Sequence, residues 1–469
     1  MFKRKYIMHK IRIPEIPEKY DFNRTKTDKI AIILYNNNNT SNDVIDELLD
    51  KINNNNIDFY LTEHSSYKSF SKYWAIKIKN PVGFIPGLEL GIKYACSYSH
   101  SQSMCYKKYI LIDHNHISEI NVDNIKKMIR VNSTLNGIFS KYCVCFNAEW
   151  LDTIRYFNHY NSSDKSFDTF LKPYCNYEMI NNTIEKIKEK KNVDVKNIQA
   201  KFPTNQKSNK VAMVIVNYNM EERCSQICKN IKEKVKNPVD FYVVDNGSDL
   251  VNSSPHTTIW LRKNVQTSNG WNMGIAYSNA VRHTNKSAYF GYWIWITSSL
   301  FDTTQNDILS PMVQYLEQHP KTQTICPYIS NRTNSWPHLF KKGVVPREVI
   351  FVDNLATLYR TEWFDSIRYF DPNEIRGFGV DMENGFLVRY CGYNSVVDDR
   401  VGIQKHSGIA YSMKRMNANS SSREQLALKE MKTILTARYG TDYPKLNRGT
   451  ISLKKGIFTN RRGTWTYII

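Results

Sequence analysis

Residues Val211–Asp249 read VAMVIVNYNMEERCSQICKNIKEKVKNPVDFYVVDNGSD, and the succession of patterns in that stretch decides the fold. VAMVIV is a short unbroken apolar run, as expected of a strand covered on both faces. EERCSQICKNIKEKV spaces its apolar residues for a helix, with glutamates at the start and lysines at the end. VDFYVVDNGSD is a second strand that ends in a polar turn. Working outward, GWNMGIAYSNAVRHT (Gly270–Thr284) predicts a helix opening at glycine, and YFGYWIWIT (Tyr289–Thr297) predicts another strand. Strand, helix, strand, helix, strand with short loops gives an α/β fold with a mostly parallel sheet flanked by helices. Ligands of such sheets sit beyond the carboxyl ends of the strands, where Asn217, Asp245 and Thr297 fall.

The pattern is written twice. CFNAEWLDTIRYFN (Cys145–Asn158) returns as LYRTEWFDSIRYFD (Leu358–Asp371), and each leads to a Tyr-Cys pair, Tyr174-Cys175 and Tyr390-Cys391. IAIILYNNNN from Ile30 answers VAMVIVNYNM, and NPVGFIPGLELGI from Asn80 answers NVQTSNGWNMGI from Asn264. A repeat of roughly 180 residues is the size of a whole domain, too long for a solenoid unit. The expected organisation is a polar lead-in (1–28), a first copy (29–182), a charged helix and linker (183–208), a second copy (209–415) and a C-terminal helix with a basic tail (416–469). The last helix is expected over Ser422–Tyr439, stopped by Gly440.

With 64 Lys+Arg against 44 Asp+Glu the net charge is +20, which attracts anions: nucleotide diphosphates, acidic glycans, nucleic acid or an anionic membrane surface. Charge alone does not choose among them, and nucleic-acid binding would rest on charge alone, so none is expected. The basic stretches Ile184–Lys196 and Ser452–Trp465 read as solvated surface. The nine cysteines follow no metal or disulfide spacing and read as reduced thiols. Asparagine runs such as Asn36–Asn39 read as loop filler from an AT-rich genome, cellular or large-viral. No window approaches the ~20 apolar residues of a spanning helix, and the N-terminus lacks the apolar centre of a signal peptide. The expected location is the cytoplasm, or a virus particle if the genome is viral.

VIVNYN, VVDNGSD, LRKNVQTSNGWNMGI and GFGVDMENGFLVRYCGYN, in that order, resemble the inverting family 2 glycosyltransferases of the GT-A fold. The resemblance implies two tandem GT-A-like, nucleotide-diphospho-sugar transferase domains. It implies a hexosyltransferase-like enzyme that moves a sugar from a nucleotide-sugar donor to a hydroxyl of a glycan or glycoprotein acceptor. Val216, Asn217, Asn219 and Asp245 would meet the base and ribose of the donor, with Asn246 and Gly247 turning the chain beneath it. Gly270 and Asn272 would stand at a helix start, where free N–H groups favour phosphate, although such glycines also serve close packing. Thr297, Ser298 and Ser299 would line the end of the next strand. Asp381 aligns with the second acid of the family's Glu-Asp pair and would be the general base, with Glu383 its neighbour and Val380 in place of the first acid. His406 stands where the family carries a histidine that could touch the diphosphate or a metal.

The pattern breaks at YWIWITSSL. Family members carry Asp-x-Asp there to hold a divalent cation, Mn or Mg, whereas this chain has Ile296, Thr297, Ser298 and Ser299. Either the metal is absent or another acid such as Asp302 reaches in; Arg262, Lys263 or Arg376 could neutralise the phosphates instead. In the first copy Glu63 falls opposite Asp245, Asp113 opposite Ile296 and Asp168 opposite Asp381. The turn glycine is missing there, and so is the stretch around ISNRTNSWPHLFKKGVVPREV, so the first copy reads as degenerate. The competing expectation is a catalytically inactive tandem pair that binds carbohydrate or supports assembly. A nucleotidyltransferase would need a glycine-rich basic loop where NYNMEER stands.

Overall fold

A computed structural model describes residues 25–36, 41–64, 71–102, 104–130, 138–140, 142–147, 175–180, 183–189, 208–249, 253–285, 287–297, 299–301, 307–329, 346–367, 369–370, 376–405, 420–447, 459–460 and 463–464. In the first half, β1 (Ile30–Asn36), β2 (Ile57–His64), β3 (Trp74–Ile78) and β4 (Lys108–Ile112) lie parallel in the order β3-β2-β1-β4. Antiparallel β5 (Cys143–Asn147) follows beyond β4. In the second half, β6 (Val211–Asn217), β7 (Val239–Asn246), β8 (Thr257–Leu261) and β9 (Gly291–Ile296) take the same order, β8-β7-β6-β9, again all parallel. There β10 (Thr322–Ile329), β11 (Ala356–Arg360) and β12 (Asn394–Lys405) extend the sheet as β9-β11-β10-β12, with β11 antiparallel to both neighbours. All seven residues of β1 and of β6 are buried, which is what an unbroken apolar run at the centre of a two-sided sheet requires.

The helices follow the same logic. In α1 (Asn42–Ile52), Ile45, Leu48, Leu49 and Ile52 are buried and Ser41 caps the start through its side chain. In α3 (Glu221–Lys234), Cys224, Ile227, Cys228 and Ile231 share the buried face. Between them in chain order comes α2 (Phe84–Ser101), the counterpart of α4 (Thr267–Thr284). A side chain at Gly87 would collide with Tyr35 and one at Gly91 with Ile33; at Gly270 it would press on Val216 and at Gly274 on Val214. The glycine pairs of both halves thus let a helix settle onto the central strand at matching positions.

The two halves meet edge to edge. β3 pairs antiparallel with β8, Ile76 with Leu261, Lys77 with Trp260 and Ile78 with Ile259. Lys79 N–H donates to the Thr258 carbonyl at 2.9 Å and Arg262 N–H to the Ala75 carbonyl at 2.9 Å. On one face α2 and α4 pack together, and a single apolar core containing Ile33, Leu88, Ile92, Val214, Met273 and Tyr277 runs across the seam.

Three sequence expectations change. β8 is absent from the sequence reading, yet it is the strand that joins the halves. The charged stretch expected as helix from residue 183 begins as a strand: Thr183–Glu189 pairs antiparallel with Cys175–Ile180. Cross-strand pairing outweighs the helical spacing of Ile184 and Ile187. The helix after β8 starts at Thr267, three residues before the glycine expected to open it. The C-terminal helix α6 spans Ser420–Tyr439 and is followed by Gly440 at φ +76°, close to expectation. Among the described residues no helix is long and apolar enough to cross a membrane.

Candidate active site

β6 and β7 run in register, so Asn217 and Asp245 end neighbouring strands side by side. Asp245 is only 3% exposed. One carboxylate oxygen accepts the Ser248 N–H at 2.8 Å and the other accepts the Ser253 hydroxyl at 2.8 Å, while Trp260 donates its indole N–H to Ser253 at 2.9 Å. Burial raises the Asp245 pKa, and the Ser248 and Ser253 bonds together with the Asn217 amide oppose that rise. The first half keeps the same register, Asn36 beside Glu63. Glu63 is fully buried, and burial raises its pKa to about 7.

The loops behind these strand ends are tied to one another. Gly247 has φ +77°, and a side chain there would strike the Lys263 and Asn264 backbone. The Asn246 amide donates to Asn264 Oδ1 at 3.2 Å and to the Gln266 carbonyl at 3.0 Å, and its oxygen accepts the Val265 N–H at 2.9 Å. Asn246 therefore braces the β8–α4 loop instead of facing a donor. Asn219 has a left-handed backbone (φ 52°), donates its N–H to Ser248 Oγ at 2.8 Å and accepts from Asp249 N–H at 3.2 Å. Gln266 is left-handed too (φ 69°), so both non-glycine residues of this kind among the described residues flank the carboxyl edge.

Several expected donor contacts are used internally. Val216 packs against Gly270, whose N–H is bonded to the Gln266 carbonyl at 3.0 Å, leaving the free N–H groups of α4 upstream of the glycine. Asn272 is fully buried: it donates to the Phe370 carbonyl and accepts the Phe370 N–H, both at 3.0 Å. The amide is a bracket for the segment after Glu362-Trp363, which sequence spacing does not reveal. Thr297, at the end of β9, donates to the Met220 sulfur at 3.4 Å. Ser299 opens a short strand whose first residue pairs with Lys405. Ser298, Asp302, His406 and Asp168 lie outside the described residues.

The cations considered for phosphate are also engaged. Arg262 donates to the carbonyls of Lys72 (2.7 Å) and Trp74 (3.2 Å) across the seam, and Lys263 reaches the Tyr98 hydroxyl at 3.1 Å. Arg376 is ion-paired with Glu430 of α6. Among the described residues no three His, Cys, Asp or Glu side chains group to hold a metal. The residues at the end of β9 do not fit a divalent cation, since an alkyl side chain and a hydroxyl replace the needed carboxylates.

Asp381 is the second residue of α5 (Val380–Tyr390), which opens after Gly379 at φ 94°. Half-buried, its carboxyl is pushed up to about 7, first by burial and then by the negative charge of Asp353; N–H groups at the helix start oppose the rise. Glu383 lies elsewhere on α5: it accepts the Tyr439 hydroxyl of α6 at 3.1 Å, and Phe386 stacks edge-on against the same tyrosine. Asp353, absent from the sequence reading, precedes β11. Because Ala356 pairs with Trp295, Asp353 lies at the carboxyl end of β9, beside the missing Asp-x-Asp. From Asp245 to Asp353 is three strand steps, about 14 Å at ~4.8 Å per step.

No protein-family model matches the chain, and no curated protein matches it. Solved structures similar to it include Staphylococcus aureus TarS residues 1–349 (13% identity, TM-score 0.33, covering 52% of this chain and 75% of that one). A mannosyltransferase, PcManGT from Pyrobaculum calidifontis in complex with GDP-Man and Mn2+, has 14% identity and a TM-score of 0.32 over 45% and 61%. GalNAc-T7 with UDP, GalNAc and Mn2+ has 11% identity and a TM-score of 0.37 over 51% and 50%. Likenesses this low carry no conclusion about activity.

Proposed function

We propose that the chain is a glycosyltransferase of the family 2 kind, built from two related GT-A-like units of which the second is active. It transfers a sugar from a nucleotide donor to a hydroxyl of a glycan or glycoprotein, with inversion. The observation that carries this is the placement of two acids toward the carboxyl edge of one sheet: Asp245, buried near the end of β7, and Asp381, half-buried at the start of α5, where the preceding Gly377 lies against Thr267 at the start of α4. In this scheme Asn217 and Asp245 receive the base and ribose. Asp381 takes the acceptor's proton as the acceptor oxygen bonds to the anomeric carbon, and the bond from that carbon to the diphosphate oxygen breaks on the opposite face. A carboxylate with a pKa near 7 is a better proton acceptor than an ordinary aspartate.

The test is release of nucleoside diphosphate from a panel of nucleotide sugars with a glycan acceptor, with and without manganese. Release that Asp381→Asn abolishes supports the enzyme. Silence across the panel together with glycan binding supports the second possibility, an inactive carbohydrate-binding pair, which the lack of an Asp-x-Asp over Ile296–Ser299 favours.

A further inference from the structure

The sequence assigns no partner to Asp381 except Glu383, and Glu383 is held by Tyr439. The packing of α5 supplies another. Gly385 lies one turn after Asp381 on the same helix face, and a side chain there would collide with the Ile350 carbonyl and with Phe351. The α5 face that bears Asp381 is therefore pressed directly onto the backbone of residues 350–351, and Asp353 follows two residues later. That segment is pinned: Leu355 N–H (2.7 Å) and Thr357 Oγ1 (2.6 Å) both donate to the Asp353 carbonyl, and Tyr359 donates its hydroxyl to Asn354. On the other side, Trp363 donates its indole N–H to Asn384 at 2.9 Å, and Asn384 donates to the Val380 carbonyl at 3.1 Å, which fixes the first turn of α5.

We infer that Asp353 is a positioning residue for Asp381: a second carboxylate, held in the pinned turn before β11 against which α5 packs, that strengthens the first as a proton acceptor. The inference rests on Asp381 being the base. The chemistry is that of like charges sharing a site of low polarity, where ionising one makes ionising the other harder. Among the described residues, the other titratable groups near the pair are accounted for. Tyr359 on β11 and Cys326 on β10 are buried and held protonated, their pKa values raised first by burial. Arg347, beyond Cys326, is consumed by its 2.7 Å pair with Asp399, and Arg376 ahead of α5 by Glu430. Asp353 thus sits where a metal-binding Asp-x-Asp would end its strand, but it acts on the base and not on a cation.

The experiment uses the full chain with Asp353→Asn, Asp353→Glu, Asp381→Asn and the double Asn variant, with Asp353→Ala as a further variant should the Asn form not fold. In the pH profile of kcat/KM, the acid limb is expected to move down by about one pH unit in Asp353→Asn, with lower kcat, and to return in Asp353→Glu. Thermal stability across pH 4–9 gives a second readout that needs no activity: the two Asn substitutions should be non-additive above pH 7 and additive at pH 4. An unmoved acid limb in a folded variant, or additivity at both pH values, overturns the inference. If no donor is turned over at all, the transferase proposal fails while the stability cycle still decides the coupling of the two carboxylates.

Discussion

The guanidinium of Arg262 lies 5.6 Å over the ring of Trp74, with Lys77 on the same ring at 4.1 Å. A residue that looks like a phosphate ligand in LRKN is thus a rivet between the halves. Arg262→Ala should destabilise the chain by roughly 1–2 kcal/mol, from two carbonyl bonds and one cation–π contact. Denaturant unfolding checks it; unchanged stability with weakened nucleotide binding would return Arg262 to the phosphate role.

Ionising Asp381 opposes folding. Its folded pKa, about 7, lies above the ordinary carboxylate value, so the stability it contributes is present at low pH and is lost as pH rises from about 4 through 7. Asp381→Asn should therefore melt higher than wild type at pH 8, with about 4 kcal/mol as the ceiling, and nearly the same at pH 4. Melting curves at the two pH values decide. The same substitution should remove transfer.

Asp245→Asn keeps the shape of the strand-end turn but cannot accept equally on both oxygens. We expect nucleotide affinity to fall about 10- to 100-fold, measured by calorimetry with a nucleoside diphosphate, while the midpoint of unfolding moves little. Loss of fold without loss of affinity would reduce Asp245 to a turn residue.

Much of this was legible beforehand. Unbroken apolar runs gave β6 and β9, helical spacing gave α3 and α6, and the internal repeat aligned Glu63 with Asp245, which the strand registers match. What escaped was tertiary. TTIWL is too short and too polar at its start to announce an edge strand, and the inward amides of Asn246 and Asn272 look like any exposed asparagine until their backbone partners are in place. Asp353 escaped because α5 meets the segment before β11 only through the close approach at Gly385, which no local spacing announces.

Gly385→Ala should push α5 off residues 350–351. The expected cost is about 1–3 kcal/mol for overpacking, with a larger fall in kcat than in KM if Asp381 is displaced with it. Equal activity in a destabilised variant would show that the helix tolerates the shift.

Pairing β3 to β8 leaves neither sheet with a bare lip on that side. Cut apart, each piece would offer a row of unmet backbone groups flanked by Ile76 and Ile78, or by Ile259 and Leu261, and would recruit whatever strand came near. The first half is for this reason a permanent chaperone of the second half's border, and the second half produced without it should clump or self-associate even with every proposed donor contact intact.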